Sequence, residues 1–146
     1  MQEDYPKTYL YKRIVQAKLF IDTHYCDNIE LHNIADEASF SKFHFIRLFK
    51  TIYGNTPHQY LIKVRIENAK LLLQKNIPVT DACFSVGFES PASFSALFKR
   101  YTNSSPSQYQ QEYLSRQQLI KKVPLKFIPN CFAEQKGWTK MPTGPK

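Results

Sequence analysis

The chain has 146 residues, three cysteines and a formal charge of +8, from 20 Lys and Arg against 12 Asp and Glu. That length suits one ordinary domain or two very small units sharing a core, and three widely spaced cysteines, Cys26, Cys83 and Cys131, argue against a disulfide framework and for a reducing compartment. No run approaches the roughly 18 apolar residues of a membrane span, and residues 1–13 lack the apolar core of a secretory signal, so a cytoplasmic location without membrane contact is expected. The charge is unevenly placed: residues 1–115 hold 13 Lys and Arg against 11 Asp and Glu, whereas 116–146 hold 7 against 1. A mildly basic body with a strongly basic tail points to an anionic partner.

Apolar residues at Tyr11, Ile14, Val15, Leu19, Ile21 and Tyr25 recur at helical period and predict a scaffold helix over roughly 8–26, broken at Asp27 and Asn28. A short helix follows near 31–37, then a turn at 38–41 and a second helix at 42–53, with Ser41 as N-cap and Gly54 as stop. Thr56, Pro57 and Gln59 combine a cap, a proline at the first helical position and a glutamine three residues after the cap. The helix they open carries Tyr60, Leu61, Val64, Ala69, Leu71, Leu72 and Leu73 and ends near Lys75, before Asn76 and Pro78. Residues 79–86 form another short helix, and Gly87 takes a turn where a positive φ is needed. Ser90 and Pro91 open a helix to about Thr102, and Ser105, Pro106 and Gln108 open a last one reaching about Gln117. No strand period appears in the folded region. The expected class is all-α, with a body over 8–117 and a basic, proline-containing tail over 118–146.

The elements repeat. Leu31, Ile34, Ala35, Ala38, Ser39 and Phe40 recur at an offset of 48 as Val79, Ala82, Cys83, Val86, Gly87 and Phe88. Phe45, Leu48, Phe49, Lys50, Pro57, Gln59 and Tyr60 recur at 49 as Phe94, Leu97, Phe98, Lys99, Pro106, Gln108 and Tyr109. The one-residue insertion falls in the turn, where loops tolerate length changes, so the repeat is structural: two helix-turn-helix units. Pairing with Ala35 marks Cys83 as a small buried residue.

In the second helix of each unit one face is apolar, Phe45, Leu48, Phe49 and Ile52 in the first and Phe94, Leu97, Phe98 and Tyr101 in the second, and is assigned to the core. The opposite faces carry Phe43, His44, Ile46 and Arg47, and Ala92, Ser93 and Ala96. These are the candidate base readers, because a helix fits the major groove, where Arg pairs with guanine through two bonds and small apolar groups meet the thymine methyl. Arg47 is the foremost of them. Lys42, Lys50, Lys99 and Arg100 are assigned to phosphate, which positions without carrying sequence information. His24, His32, His44 and His58 show no ligand spacing with one another or with the cysteines, so no metal and no cofactor is expected. The helix from Pro57 makes a rod of roughly 27 to 30 Å at 1.5 Å per residue, close to the ~34 Å between successive major-groove faces.

At IADEASFSKFHFIRLFKTIYGNTPHQYL and ACFSVGFESPASFSALFKRYTNSSPSQY the chain resembles the DNA-binding region of the AraC/XylS family of bacterial transcription regulators, over roughly 17–109. The spacing of Gly87, Phe88, Phe94, Phe98, Lys99, Pro106 and Tyr109 is similar to that family's signature. The resemblance implies seven helices, with two homeodomain-like helix-turn-helix units on a long linker helix. It also implies double-stranded DNA as partner at consecutive major-groove segments, a monomer on DNA, activation of transcription, and RNA polymerase as a further partner. Ser39 stands where the first turn often has glycine, and Ala92 and Ala96 stand where relatives often place long polar readers, so weaker base discrimination is expected from the second unit.

Enzyme classes lack support: there is no nucleophile elbow, no phosphate-binding loop, and no Cys–His pair at useful spacing. The competing class is a helix-turn-helix protein acting mainly through protein contacts, since fold does not fix function. In the tail, Lys121, Lys122 and Lys126 suit a DNA-tracking arm, and Leu125, Phe127, Ile128, Phe132 and Trp138 suit docking on the body or on a partner.

Overall fold

The computed structural model describes the backbone of residues 4–29 and 42–123, with side chains from Thr8 onward. The described residues form six helices and no strand: α1 (Asp4–His24), α2 (Lys42–Tyr53), α3 (Pro57–Gln74), α4 (Val79–Ser85), α5 (Pro91–Thr102) and α6 (Pro106–Lys122). The expected short helix at 31–37, its turn with Ser39 and Ser41, and the tail with its apolar residues lie outside the described residues.

The helix starts follow from their caps. Thr56 Oγ1 accepts from the Gln59 amide at 3.2 Å while Gln59 Oε1 accepts from the Thr56 amide at 3.1 Å, closing a capping box at α3. Ser90 Oγ accepts from the Ser93 amide and Ser105 Oγ from the Gln108 amide, each at 3.2 Å and each before a proline in the first turn. Two ends differ from expectation. α1 begins at Asp4 because Pro6 falls in the first turn, where no helical N–H is required. α6 continues past Gln117 to Lys122, because Gln118, Leu119 and Ile120 favour helix and Lys121 and Lys122 face the negative end of its dipole.

Both α2 and α5 are stopped by a left-handed residue at equivalent repeat positions, Gly54 at φ 78° and Asn103 at φ 64°. A Cβ on Gly54 would meet nothing within 4 Å, so only backbone strain opposes substitution there. Gly54→Ala is therefore expected to cost about 1 kcal/mol and Gly54→Asn a few tenths, as read by urea denaturation. Equal costs would show that the left-handed conformation is not what selects these residues.

The apolar residues gather in two clusters, one per unit. Ile14, Ala17 and Ile21 of α1 meet Phe45 and Phe49 of α2 and Leu61 of α3. Ile66, Ala69 and Leu73 of α3 meet Ala82, Cys83, Val86, Phe88, Phe94 and Phe98. The sets correspond: Phe45 and Phe49 match Phe94 and Phe98 at an offset of 49, and Ile14, Ala17 and Ile21 match Ile66, Ala69 and Leu73 at 52. α3 thus serves twice, closing the first unit with its opening turns and forming the scaffold of the second with the rest.

The polar bracing repeats too. Tyr60 stands edge-on to Phe49 at 5.7 Å and donates to Asp22 Oδ1 at 2.5 Å; Tyr109 stands edge-on to Phe98 at 5.4 Å and accepts from Gln74 Nε2 at 2.8 Å. Burial, and then the bond to Asp22, push the Tyr60 phenol up to about 12, which keeps it a neutral donor. Asp22 also pairs with Lys18 at 2.7 Å.

Several residues of the apolar periods lie outside the core, Ile52 and Tyr101 among them although assigned to it. Tyr11, Val15 and Leu19 face solvent on α1, the buried stripe there being Ile14, Ala17 and Ile21. Ile52 and Tyr101 are exposed because the cores reach only to Phe49 and Phe98, one turn earlier. On α3 Leu71 is exposed, and Ile66, not among the apolar residues named for that helix, is buried. Cys83 is free and buried as expected, and burial raises its thiol pKa.

Candidate nucleic-acid interface

Helices α2 and α5 are held in place by the residues that leave their outer faces bare. Phe45 and Phe49 pin α2, Phe94 and Phe98 pin α5, and each pair is flush with its core at 1% exposure or less. From residue 42 to 60, every position has the same burial class as the position 49 residues later. Two copies of one surface are therefore presented on one rod, and α3, with 18 residues, is about 27 Å long.

On α2 that surface contains Lys42, Phe43, His44, Arg47 and Lys50, all exposed; on α5 it contains Ala92, Ser93, Ala96, Lys99 and Arg100, also exposed. The pairing sets Phe43 against Ala92, His44 against Ser93 and Arg47 against Ala96. Phe43 is 74% exposed, so its ring does no packing work and stands ready for an apolar contact. Ile46 is the exception among the base-reading candidates: it is half-buried and packs against the first cluster, as its counterpart Ser95 is half-buried. Among the described residues no acidic side chain pairs with the Arg47 guanidinium, and its carbonyl is held by Thr51 Oγ1 at 2.8 Å. Lys50, Lys99 and Arg100 occupy the last turns of α2 and α5, at the rims of the two faces.

The turn between α4 and α5 passes through Gly87 at φ 98°, where a Cβ would come within 2.9 Å of the carbonyl oxygens of both Tyr25 and Cys26. Arg65 of α3 reaches the same segment, with Nε 2.6 Å from Tyr25 O and Nη2 2.9 Å from Asp27 O, and lies over the Phe88 ring at 5.8 Å. Burial lowers its pKa. Sequence reasoning missed Arg65 because an arginine in a linker helix reads as a solvated charge; the signal lay in its place one position before buried Ile66. Among the described residues no group of three or more His, Cys, Asp or Glu is placed to hold a metal ion, and no helix is long and apolar enough to cross a membrane.

Among the described residues, α4, the turn at Gly87 and α5 form one helix-turn-helix, and α2, on the other side of the shared helix α3, offers a second exposed face with a lysine in its last turn. The family described as helix-turn-helix domain matches residues 34–112, more than half of the chain. The protein belongs to this AraC/XylS-type family of transcription regulators. An uncharacterised helix-turn-helix-type transcriptional regulator in the cgkA 5′ region of Pseudoalteromonas carrageenovora is 31% identical over 102 residues, covering 70% of this chain and 61% of the relative. A lactose operon transcription activator of Staphylococcus xylosus is 28% identical over 120 residues, covering 77% of this chain and 43% of the relative. The match thus spans less than two thirds of either relative. The crystal structure of the DNA-binding domain of AdpA, a global transcriptional factor in complex with a target DNA, is similar with a TM-score of 0.66 and 28% identity, covering 70% of this chain and 94% of that one.

Proposed function

We propose that the protein is a sequence-specific regulator that reads two consecutive major-groove segments of double-stranded DNA as a monomer and activates transcription. The observation that carries this reading is the position-by-position match in burial between 42–60 and 91–109, which offers two equivalent helix faces to one continuous partner. Phe43, His44 and Arg47 read bases in the first segment, with Ile46 at the margin of the face, and Ala92, Ser93 and Ala96 lie against bases in the second. Lys42, Lys50, Lys99 and Arg100 neutralise phosphates and fix the register. With long readers on α2 and small ones on α5, the two boxes are unequal and the site asymmetric. Action is by binding, without catalysis, in the bacterial cytoplasm where the chromosome lies. The name of the Staphylococcus xylosus relative supports activation, with RNA polymerase as the recruited partner.

Selection of bound duplexes from a random pool tests this reading. The expected result is one asymmetric site with a strong box and a weak box about one helical turn apart. No enrichment over competitor DNA would overturn DNA recognition and leave protein contacts as the function. Within the enriched site, Arg47→Ala is expected to weaken binding by about 1 to 3 kcal/mol and to relax preference at one guanine, as loss of a two-bond contact requires. A uniform loss across all sequences would place Arg47 on phosphate instead.

A further inference from the structure

The described parts of the two units are alike except where the units meet. From the last buried residue of the scaffold helix to the first repeat residue of the next, unit one runs from Ile21 to Leu31, ten positions, and unit two from Leu73 to Val79, six positions. The first unit thus carries four additional residues just after α1, and the beginning of that longer connection, residues 25–27, is the segment held by the second unit. Tyr25 packs against both apolar clusters. Its carbonyl and that of Asp27 accept both bonds from Arg65, and the Tyr25 and Cys26 carbonyls press on Gly87, leaving no room for a side chain in the second unit's own turn. Arg65 and Ser93, the latter in the first turn of the second reading helix, line one cleft.

The repeat provides an internal comparison. Offset by 52, Arg65 corresponds to Arg13 of α1, which bonds to the Tyr9 hydroxyl on its own helix, at 3.1 and 3.0 Å. One arginine position is thus a local surface contact in the first unit and a clasp between units in the second.

We infer that Arg65, closing on residues 25–27 against Gly87, is a positioning residue that fixes the second reading helix relative to the first and so sets the single box spacing the protein accepts. The inference rests on the two-box reading above. α3 alone fixes the distance between the units, but a single helix leaves their relative rotation to side-chain packing. A guanidinium holding two carbonyls of a third segment removes that freedom, because its planar fork is satisfied in one orientation.

The test uses the full chain with Arg65→Met, which keeps the stem and deletes the fork, Arg65→Lys, which keeps the charge, and Arg13→Met as the control. Binding is measured on the selected site and on versions with one base pair added or removed between the boxes. Wild type and Arg13→Met are expected to lose about tenfold on either altered site, the scale of one charge-assisted hydrogen bond. Arg65→Met should discriminate less than threefold while keeping its affinity for the isolated strong box, and Arg65→Lys should fall between. Residual dipolar couplings of the free proteins supply a readout independent of DNA: one alignment tensor should fit both units in wild type and two should be needed in Arg65→Met. Unchanged spacing discrimination in Arg65→Met, or a single tensor in that variant, overturns the clasp. Two tensors in Arg65→Met with no spacing preference in wild type would support the clasp and take down the two-box reading instead.

Discussion

Phe98→Ala is expected to be the most damaging single substitution in the described body, lowering the free energy of unfolding by about 3 to 5 kcal/mol. The ring is fully buried, lies 5.6 Å from Phe94 and 5.4 Å from Tyr109, and ties α5 to the closing helix α6. Truncation removes apolar burial and opens a void whose walls belong to three helices, so collapse cannot refill it cheaply. Against a total of about 5 to 15 kcal/mol for a domain of ordinary stability, that loss empties much of the margin and should abolish specific binding at physiological temperature. Phe49→Ala is expected to cost a similar amount, because Phe49 holds the equivalent place against Phe45 and Tyr60. Tyr101→Ala, which removes a larger side chain from an exposed position, should stay within about 0.5 kcal/mol. Urea denaturation followed by circular dichroism measures all three; a cost below about 1 kcal/mol for Phe98→Ala would show that Phe98 does not hold α5 on its core.

Much of this architecture was legible because it rests on local chemistry. Thr56 with Gln59, Ser90 with Pro91 and Ser105 with Pro106 announce helix starts by satisfying orphan amides, and each start falls where the cap requires. Phe45, Phe49, Phe94 and Phe98 announce the buried faces by spacing and size. What spacing does not carry is the depth of each core. Ile52 and Tyr101 continue the apolar stripe yet stand in solvent, because a short helix outruns the neighbours that cover it. Tyr11, Val15 and Leu19 fit the helical period as well as Ile14 and Ile21 do, and only the partners of α1 decide which stripe is covered. The exposed faces of α2 and α5 were legible by complement, as whatever the phenylalanines leave outside, except for Ile46, which sits at the border where burial is graded. Arg65 and residues 25–27 were illegible for a different reason: their contact joins segments about 40 residues apart through backbone carbonyls, which every residue possesses.

Five base pairs inserted between the two boxes should cost at least about 2 kcal/mol of specific binding, roughly thirtyfold, since a whole box of base and phosphate contacts is withdrawn. The insertion turns one box by nearly half a helical turn and moves it by about 17 Å along the axis. α3 cannot follow. It is one uninterrupted helix with neither glycine nor proline after Pro57, braced at its start by the capping box and at its end by Gln110, whose amide donates to Leu73 O at 3.1 Å and Ile77 O at 2.7 Å. A ten-base-pair insertion separates rigid from flexible coupling. It returns the second box to the original face but opens a further ~34 Å, which a rod of about 27 Å already used in full does not span. Affinity should therefore stay at the level of the strong box alone, whereas units on a flexible tether would recover part of the loss. Affinity unchanged by the five-base-pair insertion would mean that only one of the two faces reads DNA, and the larger exposed side chains of α2 would make it the first.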